Sequence, residues 1–266
     1  MTASSSLRRS PVLLVGMSIL ATFAVVGVLG PWIAPYDPHV VSGKAFESPS
    51  GRHLLGTNAI GADNLSRLVI GARTTLAVAV GSTSLILVIG MAVGLAAAVR
   101  GGLVDVALMR LVDVFLAVPT VPLLMVVAVL AGPSLPVSIL MIGVIGWPQT
   151  ARIIRSQTLS LRRRGFMQIA RGFGARPTYL MRRHIVPTLG PVVGANLVYV
   201  AGTAVTIEAG LAFLGLGDPI AVSWGADLSR SAATLSVLVP TGLALTLLLL
   251  GFTLVGVGLE PRFNPR

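Results

Sequence analysis

Apolar residues in this chain run in long stretches instead of alternating with polar ones. Stretches near residues 11–31, 74–99, 104–131, 136–154, 191–216 and 232–259 can each cross a hydrocarbon layer about 30 Å thick as a helix. The pattern predicts an all-α membrane protein with six transmembrane helices. The first stretch follows Arg8-Arg9, but it exceeds the roughly 7–15 residues of a signal-peptide core. The cleavage-like run Ala21-Thr22-Phe23-Ala24 falls inside it, and the residues around Arg8-Arg9 do not support a twin-arginine signal. It is read as an uncleaved first helix. The polar interruptions complete the division: a leading segment 1–10, the first helix 11–31, a long segment 32–73, a five-helix core 74–259 containing the polar loop 156–190, and a tail 260–266.

Composition sharpens this picture. The chain is 54% hydrophobic and only 11% charged, where soluble domains carry about 25% charged residues. Mean hydropathy is +0.89, which argues against a soluble helical protein with a large core. The net charge of +11 raises nucleic acid as a partner, but the arginines cluster beside apolar stretches and aromatics make up only 5%. No nucleic-acid partner is expected. Without cysteine there is no thiol chemistry, and His39, His53 and His184 lack metal-ligand spacing, so no metal is expected.

Charge also orients the chain. With both termini in the cytoplasm, Arg8, Arg9, Arg100, Arg110, Arg152, Arg155, the arginines from Arg162 to Arg183, Arg262 and Arg266 all fall inside. The outer segments hold Lys44, Arg52, Arg67, Arg73 and Arg230, balanced by Asp37, Glu47, Asp63, Asp218 and Asp227. Leu65, Leu68, Val69 and Ala72 recur at helical spacing and predict a short helix at the outer interface, with Asn64 and Arg67 facing elsewhere. Trp224 is placed as an interfacial aromatic. Arg110 and Asp113 are expected to pair along one helix face. Gly90 with Gly94, and Gly190 with Gly194, have the spacing that permits close helix packing.

Candidate chemistry is sparse. Gly43-Lys44 lacks the glycine and the Ser/Thr of a phosphate-binding loop, so the chain is not expected to hydrolyse ATP. No catalytic residue set is evident, and the chain is not expected to be an enzyme. Glu208 lies within the fifth apolar stretch, where a carboxylate is costly and often functional; the alternative is an interhelical hydrogen bond. Asn196, on the same stretch, either lines a path or joins helices. In the polar loop, Phe166, Ile169, Ala170 and Phe173 repeat at i, i+3, i+4 and i+7, predicting a short helix with one apolar face. Gly174 suits its C-cap, Pro177 stops it and starts a second helix, and Gln168 and Arg171 lie on the other face, with Gly172 allowing close backbone approach. Physics alone leaves open an interfacial helix held on anionic headgroups by Arg162, Arg163 and Arg164.

The loop resembles the EAA loop of ABC importer permeases, E-A-A-x-x-x-G followed by I-x-L-P. Gln168-Ile169-Ala170 stand at the E-A-A, Gly174 at the glycine and Pro187 at the proline; Arg183-His184-Ile185-Val186-Pro187 is similar to the R-H-I-x-P of the peptide branch. Residues 55–67 and Gly71-Ala72-Arg73 resemble that branch's L-G-T-D-x-x-G-R-D-x-L-S-R and G-A-R segments, with Asn58 and Ala62 departing. Residues 208–217 and Ser223-Trp224-Gly225 resemble its E-A-x-L-S-F-L-G-L-G and S-W-G segments. The ordered set resembles the dipeptide/oligopeptide/nickel permeases, most of all the C-type subunit of a dipeptide importer.

The resemblance implies a type I ABC importer permease architecture in the cytoplasmic membrane. It also implies a second homologous permease, two ABC ATPase subunits carrying ATP and Mg, and an extracytoplasmic substrate-binding protein as partners. By resemblance, Phe166, Gln168, Ile169, Ala170, Arg171, Gly172, Phe173, Gly174, Ala175 and Arg176 form the helix that couples to an ATPase. Peptides are the expected cargo, with nickel complexes and haem-like molecules as alternatives. An ion-coupled secondary transporter is the rival from another class; it would call for more embedded acids and repeated halves than are evident.

Overall fold

The computed structural model describes residues 11–230 and 234–259, apart from the side chains of Arg171, Pro177 and Thr178. Segments 1–10 and 260–266, with Arg8, Arg9, Arg262 and Arg266, lie outside the described residues. The helices are α1 (Pro11–Ile33), α2 (Asn64–Arg100), α3 (Gly102–Ala117), α4 (Thr120–Ala131), α5 (Leu135–Arg162), α6 (Gly165–Gly172), α7 (Pro177–Leu180), α8 (Val186–Phe213), α9 (Trp224–Arg230) and α10 (Leu235–Leu259). A π-helical turn, Met181–Ile185, makes α7 and α8 continuous.

Among the described residues five helical segments are long and apolar enough to cross a membrane, and α3 with α4 makes a sixth if the pair is one crossing. That pair corrects the expectation of a single helix over 104–131, because its two halves are bent by 83°. Val118 and Pro119 both adopt extended ψ values, 129° and 115°. Proline biases the residue before it away from helix and donates no backbone hydrogen bond, so the apolar run breaks there.

The helices pack through small residues, as expected where lipid removes the hydrophobic drive between them. The most extensive contact joins α2 to α5. A Cβ on Gly90 would meet Thr150 Cγ2 at 2.7 Å, and one on Gly94 would meet Ile154 Cβ at 2.9 Å. The Gly190 and Gly194 pair on α8 meets nothing within 4 Å. Helices α1 and α10 run antiparallel, with Gly16 against Val255 and Gly258 against Leu13.

Residues 34–63 fold into a knot centred on Asp63. Its carboxylate accepts the Ser66 backbone N–H at 2.8 Å, capping α2, accepts the Ser66 hydroxyl at 2.7 Å, and meets His53 Nδ1 at 2.9 Å. Gly56 and Gly61 turn the chain at φ values of 69° and 79°, each with a backbone carbonyl where a Cβ would sit.

The N-terminal end of α2 differs from expectation. There is no separate interfacial helix; α2 is continuous from Asn64, and Asn64 and Arg67 are buried. Arg67 donates to Asp227 from Nε at 2.9 Å and Nη2 at 2.6 Å, and to the Pro38 carbonyl at 3.0 Å. The interfacial placement of Trp224 is also corrected. Its ring is buried against Gly71, donates from Nε1 to the Leu68 carbonyl at 2.9 Å, and meets Phe23 edge-on at 5.7 Å. A helical wheel of α2 alone does not show α9, whose Trp224 and Asp227 cover Gly71 and Arg67.

The expected Arg110–Asp113 pair is replaced by links between helices. Asp113 accepts from Arg152 at 2.6 Å, and Asp105 takes both arms of Arg155 at 2.5 and 2.6 Å, joining α3 to α5. The connection after α8 is stapled to α5, since Asp218 accepts the backbone N–H of Leu135 at 2.9 Å and those of Ile220 and Ala221 at 2.8 and 3.2 Å. Burial pushes the Asp218 carboxyl up, but these three N–H groups outweigh it and hold the group below the usual aspartate value.

Two outcomes follow from this packing. Asp227→Ala strands the buried Arg67 guanidinium and destabilises the protein by about 3–5 kcal/mol, while Arg67→Met with Asp227→Leu recovers most of the loss, read from thermal unfolding of the purified protein. The Asp218 staple is fully formed above the ordinary aspartate pKa of about 3.9 and is lost as pH falls through its depressed value. Hydrogen exchange at the Leu135 and Ile220 amides therefore accelerates below that range, beyond the intrinsic pH trend, and Asp218→Asn blunts the change.

Candidate functional site

The segment between α5 and α8 forms a helical elbow. Helix α5 ends where Arg163 and Arg164 turn the chain, with the Arg163 N–H bonded to the Ser160 carbonyl at 3.2 Å and the Arg164 N–H to the Leu161 carbonyl at 3.1 Å. Arg162 caps α2 from the side, donating to the carbonyls of Ala98 and Val99. A cation at a helix C-terminus satisfies orphan carbonyls and opposes the helix dipole. The root of the elbow is thereby tied to the end of α2.

Helix α6 follows. Its C-terminus closes as the sequence predicts: Gly174 adopts φ 80°, and the Ala175 N–H bonds back to the Ala170 carbonyl at 3.1 Å. Helix α7 begins at Pro177, also as expected. The fifth span starts earlier than residue 191, because the helix is continuous from α7 and Pro191 lies inside α8. Pro187 cannot donate a backbone hydrogen bond and would crowd the carbonyl four residues back. The π turn just before it, with the Val186 N–H bonded to the Met181 carbonyl, lets the helix pass through.

The faces of α6 only partly match the expected stripe. Met167 is fully buried with Leu161, Leu180, Ile185 and Leu189, and Ala170 and Ala175 pack beside it. Ala170 therefore belongs to the inward face, and Met167, absent from the predicted set, anchors the helix. Phe166, Ile169 and Phe173 point away at 47%, 63% and 89% exposure. They form a stripe at i, i+3 and i+7 that nothing among the described residues covers. Phe166 keeps one lateral neighbour, the His184 ring at 6.0 Å. Gln168 is exposed and donates from Nε2 to the Arg163 carbonyl at 3.4 Å. Gly172 is open, with nothing within 4 Å of a Cβ, and Arg176 is exposed. The side chain of Arg171 lies outside the described residues.

The two polar candidates on α8 separate. Asn196 lines a cavity of about 260 Å³ between the α3–α4 bend, α5 and α8, and donates to Thr150 Oγ1 at 2.9 Å. Gln149, Thr150, Tyr199 and Thr203 share that cavity. Glu208 does not line it. This buried carboxylate accepts from the Ser223 hydroxyl at 2.8 Å, and its other oxygen has no partner. Glu208 thus joins α8 to the start of α9. The polar pair Gln149-Thr150, inside an apolar run and just after Pro148, is the signal in the sequence for the missed cavity wall.

Comparison with known proteins agrees with this architecture. Residues 86–266 match the family described as the binding-protein-dependent transport system inner membrane component. Residues 2–50 match the N-terminal TM domain of oligopeptide transport permease C. A putative peptide permease protein of Brucella suis is 35% identical over 260 residues, 94% of this chain and 86% of that protein. A dipeptide transport system permease protein of Alkalihalophilus pseudofirmus is 31% identical over 273 residues, 99% of this chain and 89% of that protein. Among solved structures, the inward-facing MetNI methionine ABC transporter superposes with a TM-score of 0.62 at 22% identity, over 74% of this chain and 96% of that chain, and shares its fold. With its apolar helices and near-full-length relatives, the chain belongs to the binding-protein-dependent transport system inner membrane components, the multi-pass inner-membrane permeases of ABC transporters, with an N-terminus of the oligopeptide permease C type.

Proposed function

We propose that this chain is the membrane-embedded permease subunit of an ATP-driven importer of dipeptides or short oligopeptides, and that α6 is the contact through which partner ATPases drive it. The observation that carries the reading is the stripe of Phe166, Ile169 and Phe173, presented to the outside by a helix that is itself pinned through Met167. Burying one such side chain is worth about 1.5–3 kcal/mol, so a complementary groove would gain appreciably from covering the stripe. Support for the cargo comes from the near-full-length likeness to proteins named as peptide and dipeptide permeases.

In this reading both termini and the elbow are cytoplasmic, in keeping with the arginine asymmetry. The Asp63 knot and the Arg67–Asp227 pair then lie outside, where a binding protein delivers cargo. A second, homologous permease completes the path, and two ATPase subunits hold the ATP and Mg. This chain contributes no catalytic group. ATP binding shifts the pair between orientations to the extent that the ATPases hold α6 differently in the two states. Asn196 faces the path together with Gln149, Thr150, Tyr199 and Thr203, and Glu208 holds the outer wall.

Two outcomes test the reading. Phe173→Ala weakens association with the ATPase subunits by about tenfold to a hundredfold, measured by co-purification and binding titration. Unchanged association would exclude α6 as the joint. Gly174→Val forces a β-branched residue into a left-handed backbone conformation at a cost of about 1–3 kcal/mol, although the space around it is open. Labelled dipeptide uptake falls several-fold while ATP hydrolysis by the assembled complex persists.

A further inference from the structure

The arginines of the elbow do different jobs, and one group of them forms no ion pair among the described residues. Arg162 is engaged with the end of α2. Arg176, Tyr179, Arg182 and Arg183 instead line a shallow concavity of about 560 Å³. Among the described residues none of these three arginines forms an ion pair. The stretch of sequence around them holds no aspartate or glutamate between Asp113 and Glu208.

We infer that this concavity is a binding site for a phosphate-bearing anion at the membrane surface. Three guanidiniums supply forked donors matched to phosphate oxygens, and the Tyr179 hydroxyl adds another donor. Depth in the membrane points the same way. Arg182 and Arg183 lie in the first turn of the spanning segment Met181–Phe213. On that turn Ile185 and, further on, Leu189 are buried against the rest of the protein. The arginines therefore sit where the apolar span meets the polar boundary, the level of lipid headgroups. None of Phe166, Ile169 or Phe173 lines the concavity. The anion site needs the membrane embedding of α8 and shares only Arg176 with the residues expected to couple to an ATPase, so it is tested at Arg182 and Arg183. It also relocates the headgroup contact expected at Arg162, Arg163 and Arg164 to the far arm of the elbow.

The shared chemistry is a phosphate group, carried by an anionic phospholipid or free in the cytoplasm. The full-length protein is placed in phosphatidylcholine nanodiscs with increasing fractions of phosphatidylglycerol, and retained lipid is counted by native mass spectrometry. Inorganic phosphate is titrated in a parallel arm in pure phosphatidylcholine, read by isothermal calorimetry. The protein is expected to retain phosphatidylglycerol over phosphatidylcholine, and Arg182→Gln with Arg183→Gln lowers the preference by about fivefold per arginine. Arg163→Gln with Arg164→Gln removes the same charge outside the concavity and lowers it less. Saturable binding of inorganic phosphate, lost in the Arg182/Arg183 variant, supports the site with the free ion as ligand. Equal retention of both lipids without phosphate binding overturns the inference. So does an equal loss in the two double variants, which reports net charge alone. Loss of ATPase association in the Arg182/Arg183 variant with lipid retention unchanged overturns it in favour of a protein partner. Circular dichroism melting confirms that each variant is folded.

Discussion

Helices α2 and α5 approach at Gly90 and Gly94, where missing Cβ atoms bring Thr150 and Ile154 against the α2 backbone. In lipid this closeness matters more than apolarity, since lipid tails cover a leucine as well as another helix does. The same two helices reach both ends of the molecule. At its N-terminal end α2 holds Trp224 against Gly71 and binds Asp227 through Arg67. At its C-terminal end its last carbonyls accept from Arg162, the residue that closes α5. The Asp63 knot, helix α9 and the elbow are thus fastened to one strut.

Polar groups inside the apolar shell follow a division of labour. Arg67 with Asp227 and Glu208 with Ser223 gather the N-terminal end of α2, the C-terminal half of α8 and α9. Asp105 with Arg155 and Asp113 with Arg152 hold α3 to α5 below the bend. Between these levels Asn196 and Thr150 meet at a cavity wall, where a polar pair can satisfy itself and still face an opening. A carboxylate is expensive in such surroundings, and at Glu208 the Ser223 hydroxyl offsets part of that cost at one oxygen.

Much of this was legible in the sequence. Length and apolarity located the spans, and the spacing of Gly174 and Pro177 located the end of one elbow helix and the start of the next. These are local properties, set by backbone geometry within a few residues. What escaped was relational. Met167 and Phe166 are adjacent and both apolar, and only the positions of Leu180 and Leu189 decide that Met167 turns inward. Arg67 reads as a solvated charge until Asp227, far along the chain, is brought beside it. Trp224 reads as an interfacial ring until Gly71 opens a slot for it. The bend at Val118 was visible in Pro119 and Pro122, but the apolar run around them masked it.

The π turn at Met181–Ile185 carries one residue more than an α-helical turn would need. A single residue corresponds to about 100° of rotation about a helix axis. The turn therefore works as an angular offset between two rigid pieces, setting the compass bearing of the elbow independently of the wall that α8 presents to the cavity. Relaxing the bulge into a regular helix would turn α7 relative to α8 and pull Met167 out of its place between Leu161 and Leu189. The aim of the apolar stripe thus rests on one short stretch of backbone.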